Sequence, residues 1–217
     1  MAEPLQIDFI ADVVCPWCYL GWRRLHQALA LRPDIEPHVV WRPYQLDPTL
    51  PEEGVDRAAY MAAKFPDPAR LKTVHDHLVA LGAEDGVAFD FARIERSPNT
   101  NAAHRLIRWA QGQGVQDAVV EGLLRAYFVE GRDIGAPEEL AAIGAAAGMD
   151  RLLILKLLSE DADRETVTRE HELAVRAGVS GVPFTIFAGR VAVAGAETPD
   201  RLLQAIDSLA AAPPAGG

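Results

Sequence analysis

Val13-Val14-Cys15-Pro16-Trp17-Cys18 is the stretch on which this chain turns, because it holds both cysteines of the 217 residues and sets them three positions apart. Before it runs Leu5-Gln6-Ile7-Asp8-Phe9-Ile10, short, apolar and rich in strand formers. After it, Pro16 suits the first turn of a helix, where its missing N–H costs nothing, and Leu20, Arg24, Leu25, Ala28 and Leu29 follow at helical spacing. Cys15 is therefore predicted at a strand-to-helix junction, its sulfur over the positive end of the helix, an environment that favours thiolate over thiol. Cys18 falls one turn later on the same face, within reach of whatever Cys15 captures.

Other uses of such a pair compete with redox chemistry. A structural disulfide would gain little by closing so short a loop. A zinc site wants further thiols or histidines at ligand spacing, and the six histidines supply no such pattern. His75 and His77 lie two apart on a predicted helix and share no face. Inert buried cysteines are the alternative left, and the strand before and helix after favour redox work over them.

Outward from the motif, His38-Val39-Val40-Trp41-Arg42 reads as a second strand bounded by Pro37 and Pro43, and a strand, helix and strand in succession imply a right-handed parallel crossover. From about Leu50 to Gly178 the signals are nearly all helical. Asp67-Pro68 opens one helix that stops at Gly82; Ser97-Pro98 opens another, and Val119 to Val129 continues in a third. Further helices are expected over 137–147, 150–158 and 161–177, with Val87 to Phe91 as a short extended segment or an apolar loop over the core. Val182-Pro183 then opens a third strand, Phe184 to Ala188, followed by a fourth, Val191 to Ala194, and Thr198-Pro199 caps a last helix. The tail from Ala210 reads as frayed.

The segment Ile7 to Gly21, with Cys15-Pro16-Trp17-Cys18-Tyr19-Leu20-Gly21, resembles the DsbA family of thiol-disulfide oxidoreductases, specifically its FrnE-like branch, which is related to 2-hydroxychromene-2-carboxylate isomerases and kappa-class glutathione transferases. Asn101-Ala102-Ala103-His104-Arg105-Leu106, Ala126-Tyr127-Phe128, Gly178-Val179-Ser180-Gly181-Val182-Pro183 and Gly195-Ala196 fall in the order that branch shows. The resemblance implies an α/β chain: a thioredoxin fold, residues 1–48 and 179–217, interrupted by a large all-helical insertion domain, residues 49–178, that packs beside the Cys15 surface. It implies that Pro183 is cis and faces the cysteines, leaving the Val182 backbone to pair with a substrate backbone. Cys15 and Cys18 are then the catalytic pair, and Pro16, Trp17, Val182, Pro183 and His104 the candidates for substrate binding.

Trp17 stands where oxidising periplasmic relatives carry histidine, which suggests a milder oxidant or a reductase. Asp12 reads as an exposed end-of-strand residue rather than a partner of Cys15, and His104, at the edge of its apolar stripe, suits either the cleft or a packing hydrogen bond. Asp200, near the start of the last helix, is a candidate for holding the amino group of glutathione, as an acidic residue does in related proteins. The expected partner is a thiol or disulfide on a protein, a peptide or glutathione, with no tightly bound cofactor, glutathione as a co-substrate, and no metal. Two alternatives share the fold: a glutathione-dependent isomerase or transferase, which generally carries serine at the Cys15 position, and a non-catalytic peptide-binding or holdase module.

Half the residues are hydrophobic, 49%, enough for a core without staples, and the formal net charge of −10 argues against a nucleic-acid partner. No run approaches the ~18 apolar residues of a membrane span. Met1-Ala2-Glu3-Pro4 carries no basic segment, and Asp8 and Asp12 interrupt the apolar run after it, so no signal peptide is read there and a cytoplasmic protein, monomer or homodimer, is expected.

Overall fold

The computed structural model describes residues 4–211. Strand β1 (Leu5–Ala11) pairs in parallel with β2 (Pro37–Pro43), Leu5 opposite Pro37 and Ala11 opposite Pro43, and helix α1 (Pro16–Ala30) makes the crossover. On the other edge of β1 lies β5 (Phe184–Phe187), antiparallel, and β6 (Val191–Ala194) completes the sheet in the order β2-β1-β5-β6. β1 is thus central, and Ile7, Phe9, Ile10 and Ala11 are all buried, as a strand covered on both faces requires. Helix α9 (Pro199–Ala211) packs on α1 through Leu202 and Ile206. Of the tail read as frayed from Ala210, residues 210–211 belong to α9 and residues 212–217 lie outside the described residues.

Between β2 and β5 the chain is helical, as expected, with one addition. β3 (Val55–Asp56) and β4 (Arg96–Ser97) form a two-residue antiparallel ribbon, Val55 opposite Ser97. Around it stand α2 (Arg57–Lys64), α3 (Pro68–Asp85), α4 (Asn101–Gly112), α5 (Gln116–Phe128), α6 (Pro137–Ala146), α7 (Arg151–Ser159) and α8 (Arg164–Arg176). One hydrophobic cluster runs from the sheet into these helices without a break, from Ile7, Phe9 and Trp22 through Leu106, Leu123 and Phe128 to Leu140 and Ile154.

Several boundaries differ from the sequence reading, each for a local reason. α3 runs through Gly82 and ends at Gly86, which takes the left-handed conformation at φ +75°. Gly82 is needed for close approach instead: a Cβ there would lie 2.6 Å from the Val87 carbonyl oxygen and from the Phe89 ring. Residues 87–90 form the loop that folds back on it, followed by a single 3₁₀ turn, Phe91–Arg93, with the Phe89 and Phe91 rings stacked 5.2 Å apart. Ser97 belongs to β4, so α4 starts only at Asn101, whose N–H is held by the Asn99 side-chain oxygen at 3.0 Å. α8 begins three residues later than expected, because Asp161 and Asp163 both adopt positive φ.

A buried ion pair ties the sheet domain to the insertion. Arg24 on α1 donates through Nε to Asp85 at 2.7 Å and through an Nη to the Ala196 carbonyl at 2.6 Å, joining three segments distant in sequence. Removing one partner strands the other charge in a nearly dry site, so Asp85→Ala is expected to cost about 3 kcal/mol of unfolding free energy. Urea unfolding measures this, and a loss below ~1 kcal/mol would show the pair to be hydrated and weak.

Candidate active site

Cys15 is the residue that caps the start of α1, with extended backbone (φ −93°, ψ 114°), and no side chain takes the free N–H groups of that helix. Those groups and the helix dipole therefore face the sulfur. Its own carbonyl accepts from the N–H groups of Cys18 and Tyr19, at 3.0 and 3.3 Å, which locks the turn. The Cys15 thiol donates to the Val182 carbonyl oxygen across 3.6 Å, and the Val182–Pro183 peptide bond is cis.

What allows the proline loop so close is Gly21, one turn beyond Cys18. A Cβ on Gly21 would sit 2.8 Å from Pro183 Cγ and 3.5 Å from the Phe9 ring. Gly21→Ala is expected to push the loop off α1, costing about 1–3 kcal/mol in stability and weakening substrate capture at Cys15. Thermal unfolding together with the alkylation rate of Cys15 checks it, and unchanged values in both would mean that the loop yields freely.

Cys18 is fully buried beneath Cys15. Burial pushes its thiol well above the usual range, the neighbouring Cys15 adds to this, and a backbone hydrogen bond at Asp12 opposes it. Cys18 is thus held as a protonated thiol in reserve.

Asp12 corrects the sequence reading: it is 1% exposed, with its carboxylate directed inward. One oxygen accepts from the Leu46 N–H at 2.8 Å, and the other lies 3.2 Å from His104 Nε2. His104 Nδ1 in turn accepts from the Trp41 indole at 3.3 Å. An indole N–H only donates, so Nδ1 is bare and the imidazole proton sits on Nε2, pointing at Asp12. His104 is consequently 2% exposed and stands behind Asp12, not in the cleft where a substrate would meet it. The apolar neighbours Ala11 and Val13 were a signal that the carboxylate is enclosed.

The cysteine opens onto a cavity of about 690 Å³. Pro16, Trp17, Gly181 and Val182 line it beside Cys15, while residues of α2 and α3 and the Ser97 and Tyr127 side chains form the facing walls. Of the residues expected to bind substrate, Pro16, Trp17 and Val182 are at the wall, Pro183 is buried against Gly21, and His104 is withdrawn. Asp200 is exposed on the first turn of α9, away from the lining. His75 stacks on Phe91 at 4.1 Å while His77 meets Trp17 at 6.1 Å, so the two rings part. Among the described residues no group of His, Cys, Asp and Glu is placed to hold a metal.

The model of the DSBA-like thioredoxin domain matches residues 6–207, nearly the whole chain. The chain belongs to the DSBA-like thioredoxin domain family. Within that family it is similar to the probable DsbA oxidoreductase SCO1869 from Streptomyces coelicolor, at 26% identity and a TM-score of 0.88, covering 98% of this chain and 93% of that one. The cytosolic disulfide reductase DsbM from Pseudomonas aeruginosa, solved with GSH, shares the fold at 19% identity and a TM-score of 0.62, over 94% and 96% of the two chains. The uncharacterized protein YwbO of Bacillus subtilis (strain 168) is 23% identical over 206 residues, 93% of this chain and 96% of its own length. The DsbA-like fold thus brings the two cysteines of this member together at the start of one helix, opposite a cis-proline loop.

Proposed function

We propose that this protein is a thiol-disulfide oxidoreductase of the FrnE-like branch, with Cys15 as nucleophile and Cys18 as resolving thiol. The observation that carries this reading is the placement of Cys15 Sγ at the head of α1, 3.6 Å from the Val182 carbonyl and open to the cavity, with Cys18 buried one turn below.

In the reducing direction, the Cys15 thiolate attacks one sulfur of a substrate disulfide, the substrate S–S bond breaks, and one thiolate leaves. Cys18 then gives up its proton and attacks Cys15 Sγ, expelling the second substrate thiolate and leaving a Cys15–Cys18 disulfide. Two electrons pass to the substrate, which ends as two thiols. The oxidising direction is the reverse. Asp12 is the group we assign to accept the Cys18 proton, since it is the buried carboxylic acid beside the pair, its backbone carbonyl accepting from the Cys15 N–H at 3.1 Å. His104, donating to Asp12, positions that carboxylate.

Trp17 offers an apolar surface and no charge, which fits a mild oxidant or a reductase better than a strong oxidant. Glutathione is the proposed co-substrate and the cytoplasm the proposed compartment, readings supported by the reductase relative that is named cytosolic and was solved with GSH. No helix among the described residues is long and apolar enough to cross a membrane. A glutathione-dependent isomerase would have no use for the Cys18 thiol, and a holdase would have no use for either sulfur. The deciding experiment is the recovery of a mixed disulfide on Cys15 from Cys18→Ser protein.

A further inference from the structure

The cavity wall carries several charged groups, of which the exchange chemistry uses only Asp12, and their state of engagement differs. Its carboxylates are committed: Asp12 to Leu46 and His104, Asp47 to Thr49 and Tyr60, and Asp67 to the N–H groups of Ala69 and Arg70 at the start of α3. Arg57 is different. It is half-buried at the first position of α2, its guanidinium lies over the Tyr127 ring at 5.7 Å, and one Nη donates to the Tyr127 hydroxyl at 2.9 Å. It makes no ion pair among the described residues, which leaves a fixed cation with donors to spare facing an apolar space.

A second, independent feature stands on the same wall. Ser97 is 4% exposed, and its buried hydroxyl lies by the Tyr127 hydroxyl without making a hydrogen bond of normal geometry. A buried hydroxyl left without a partner is costly, and such groups in folded proteins usually await a ligand or a water. The Tyr127 hydroxyl cannot serve a ligand as donor, because it already donates to the Arg96 carbonyl at 3.3 Å. Arg57 and Ser97 therefore offer a charge and a hydroxyl donor to one acceptor group, the pattern that a carboxylate completes.

Most of the remaining wall is apolar, from Leu71, Val74 and Leu78 on α3 to Phe91, with Lys64, Arg70 and His75 also on the lining. Cys15 is only 4% exposed, so a sulfur must be carried into the cavity to meet it, and a volume of about 690 Å³ falls within the ~300–1,000 Å³ of small-molecule sites. Building on the exchange reading above, we infer that the cavity takes a low-molecular-weight disulfide bearing a carboxylate, the anion held by Arg57 and Ser97 and the apolar body laid on α3. Cys15 breaks the S–S bond of that molecule to form Cys15–S–S–R and release one R–S⁻. Cys18 then releases the second, so that one disulfide and the protein dithiol become two small thiols and the protein disulfide.

The test compares bis(carboxyphenyl) disulfide with its uncharged bis-carboxamide, each reacted with fully reduced protein and each rate normalised to that of dithiothreitol. Arg57→Leu is expected to slow the carboxylate about tenfold and to leave the carboxamide within about twofold, the scale of one charge-assisted hydrogen bond. Arg57→Gln, which keeps a donor toward Tyr127, gives the same discrimination, and Ser97→Ala a smaller one of roughly threefold on the carboxylate alone. The carboxamide rate reports at the same time that Cys15 is still in place. Equal losses with both disulfides across these variants, or no loss with either, overturn the anion subsite and leave the exchange reading standing. Failure of the unaltered protein to consume either disulfide removes the exchange reading and the subsite with it.

Discussion

Cys18→Ser protein, reduced and mixed with a disulfide, gains one substrate thiol on Cys15 and holds it, visible as a single mass increment that dithiothreitol removes. Nothing in this variant can displace the captured sulfur, because Cys18 is the buried neighbour one turn below and the chain has no third thiol. Cys15→Ser takes up no adduct and loses turnover by on the order of a thousandfold or more, since a serine hydroxyl at neutral pH supplies almost no nucleophile without a base beside it. The unaltered protein accumulates little adduct and instead ends as the internal disulfide. The pair of variants separates the readings that share this fold. An isomerase keeps its activity without Cys18, and a peptide-binding module keeps its function without Cys15. Turnover surviving in Cys15→Ser would end the proposal.

Asp12→Asn is expected to slow the second step, release from the mixed disulfide, by about a hundredfold at neutral pH, the low end of what a positioned base contributes. Formation of the mixed disulfide changes far less. Two effects oppose each other here. The Asp12 charge pushes the Cys18 thiol up, so removing it eases ionisation, but that push is the smallest of the contributions and burial is the largest. Loss of the proton acceptor therefore dominates. The sign of the pH dependence follows from the raised Cys18 thiol. Below its pKa in the folded protein, the reactive thiolate fraction grows about tenfold per pH unit, so release in Asp12→Asn climbs at that rate above neutrality. Asparagine retains an acceptor for the Leu46 N–H, which keeps the strand end in place. Stopped-flow release rates from pH 7 to 9 measure it. A variant as fast as the unaltered protein at neutral pH would remove Asp12 from the mechanism.

The parts of this molecule that a sequence displays well are those set by local pattern. β1, α1 and the cysteine spacing, the β5–β6 hairpin and the capped start of α3 follow from alternation, Pro at the first helical position and Asp at the cap. What escaped depends on contacts between distant segments. Gly82 looked like a stop because a glycine after an apolar stripe usually is one, whereas here a loop returning from residue 87 lies on it. Ser97 resembles a helix start because serine before proline fits one, yet its backbone pairs with Val55, 42 positions earlier, in a strand pair. Asp12 and His104 are far apart in the chain, and only the fold shows that one orders the other. Gly21 lies three residues past the second cysteine, but its role requires Pro183, which arrives 162 positions later.

The same sheet order has a consequence during synthesis. β1 and β2 leave the ribosome early, but β5, which flanks β1 and carries the cis-proline loop, follows only after about 140 further residues. At ~5–20 residues per second that interval is roughly seven to thirty seconds, during which Cys15 and Cys18 exist without the wall that will enclose them. A nascent chain therefore passes through a window in which its two sulfurs are open to any oxidant and any neighbour, and they gain their selectivity only when about the last sixth of the polypeptide is added.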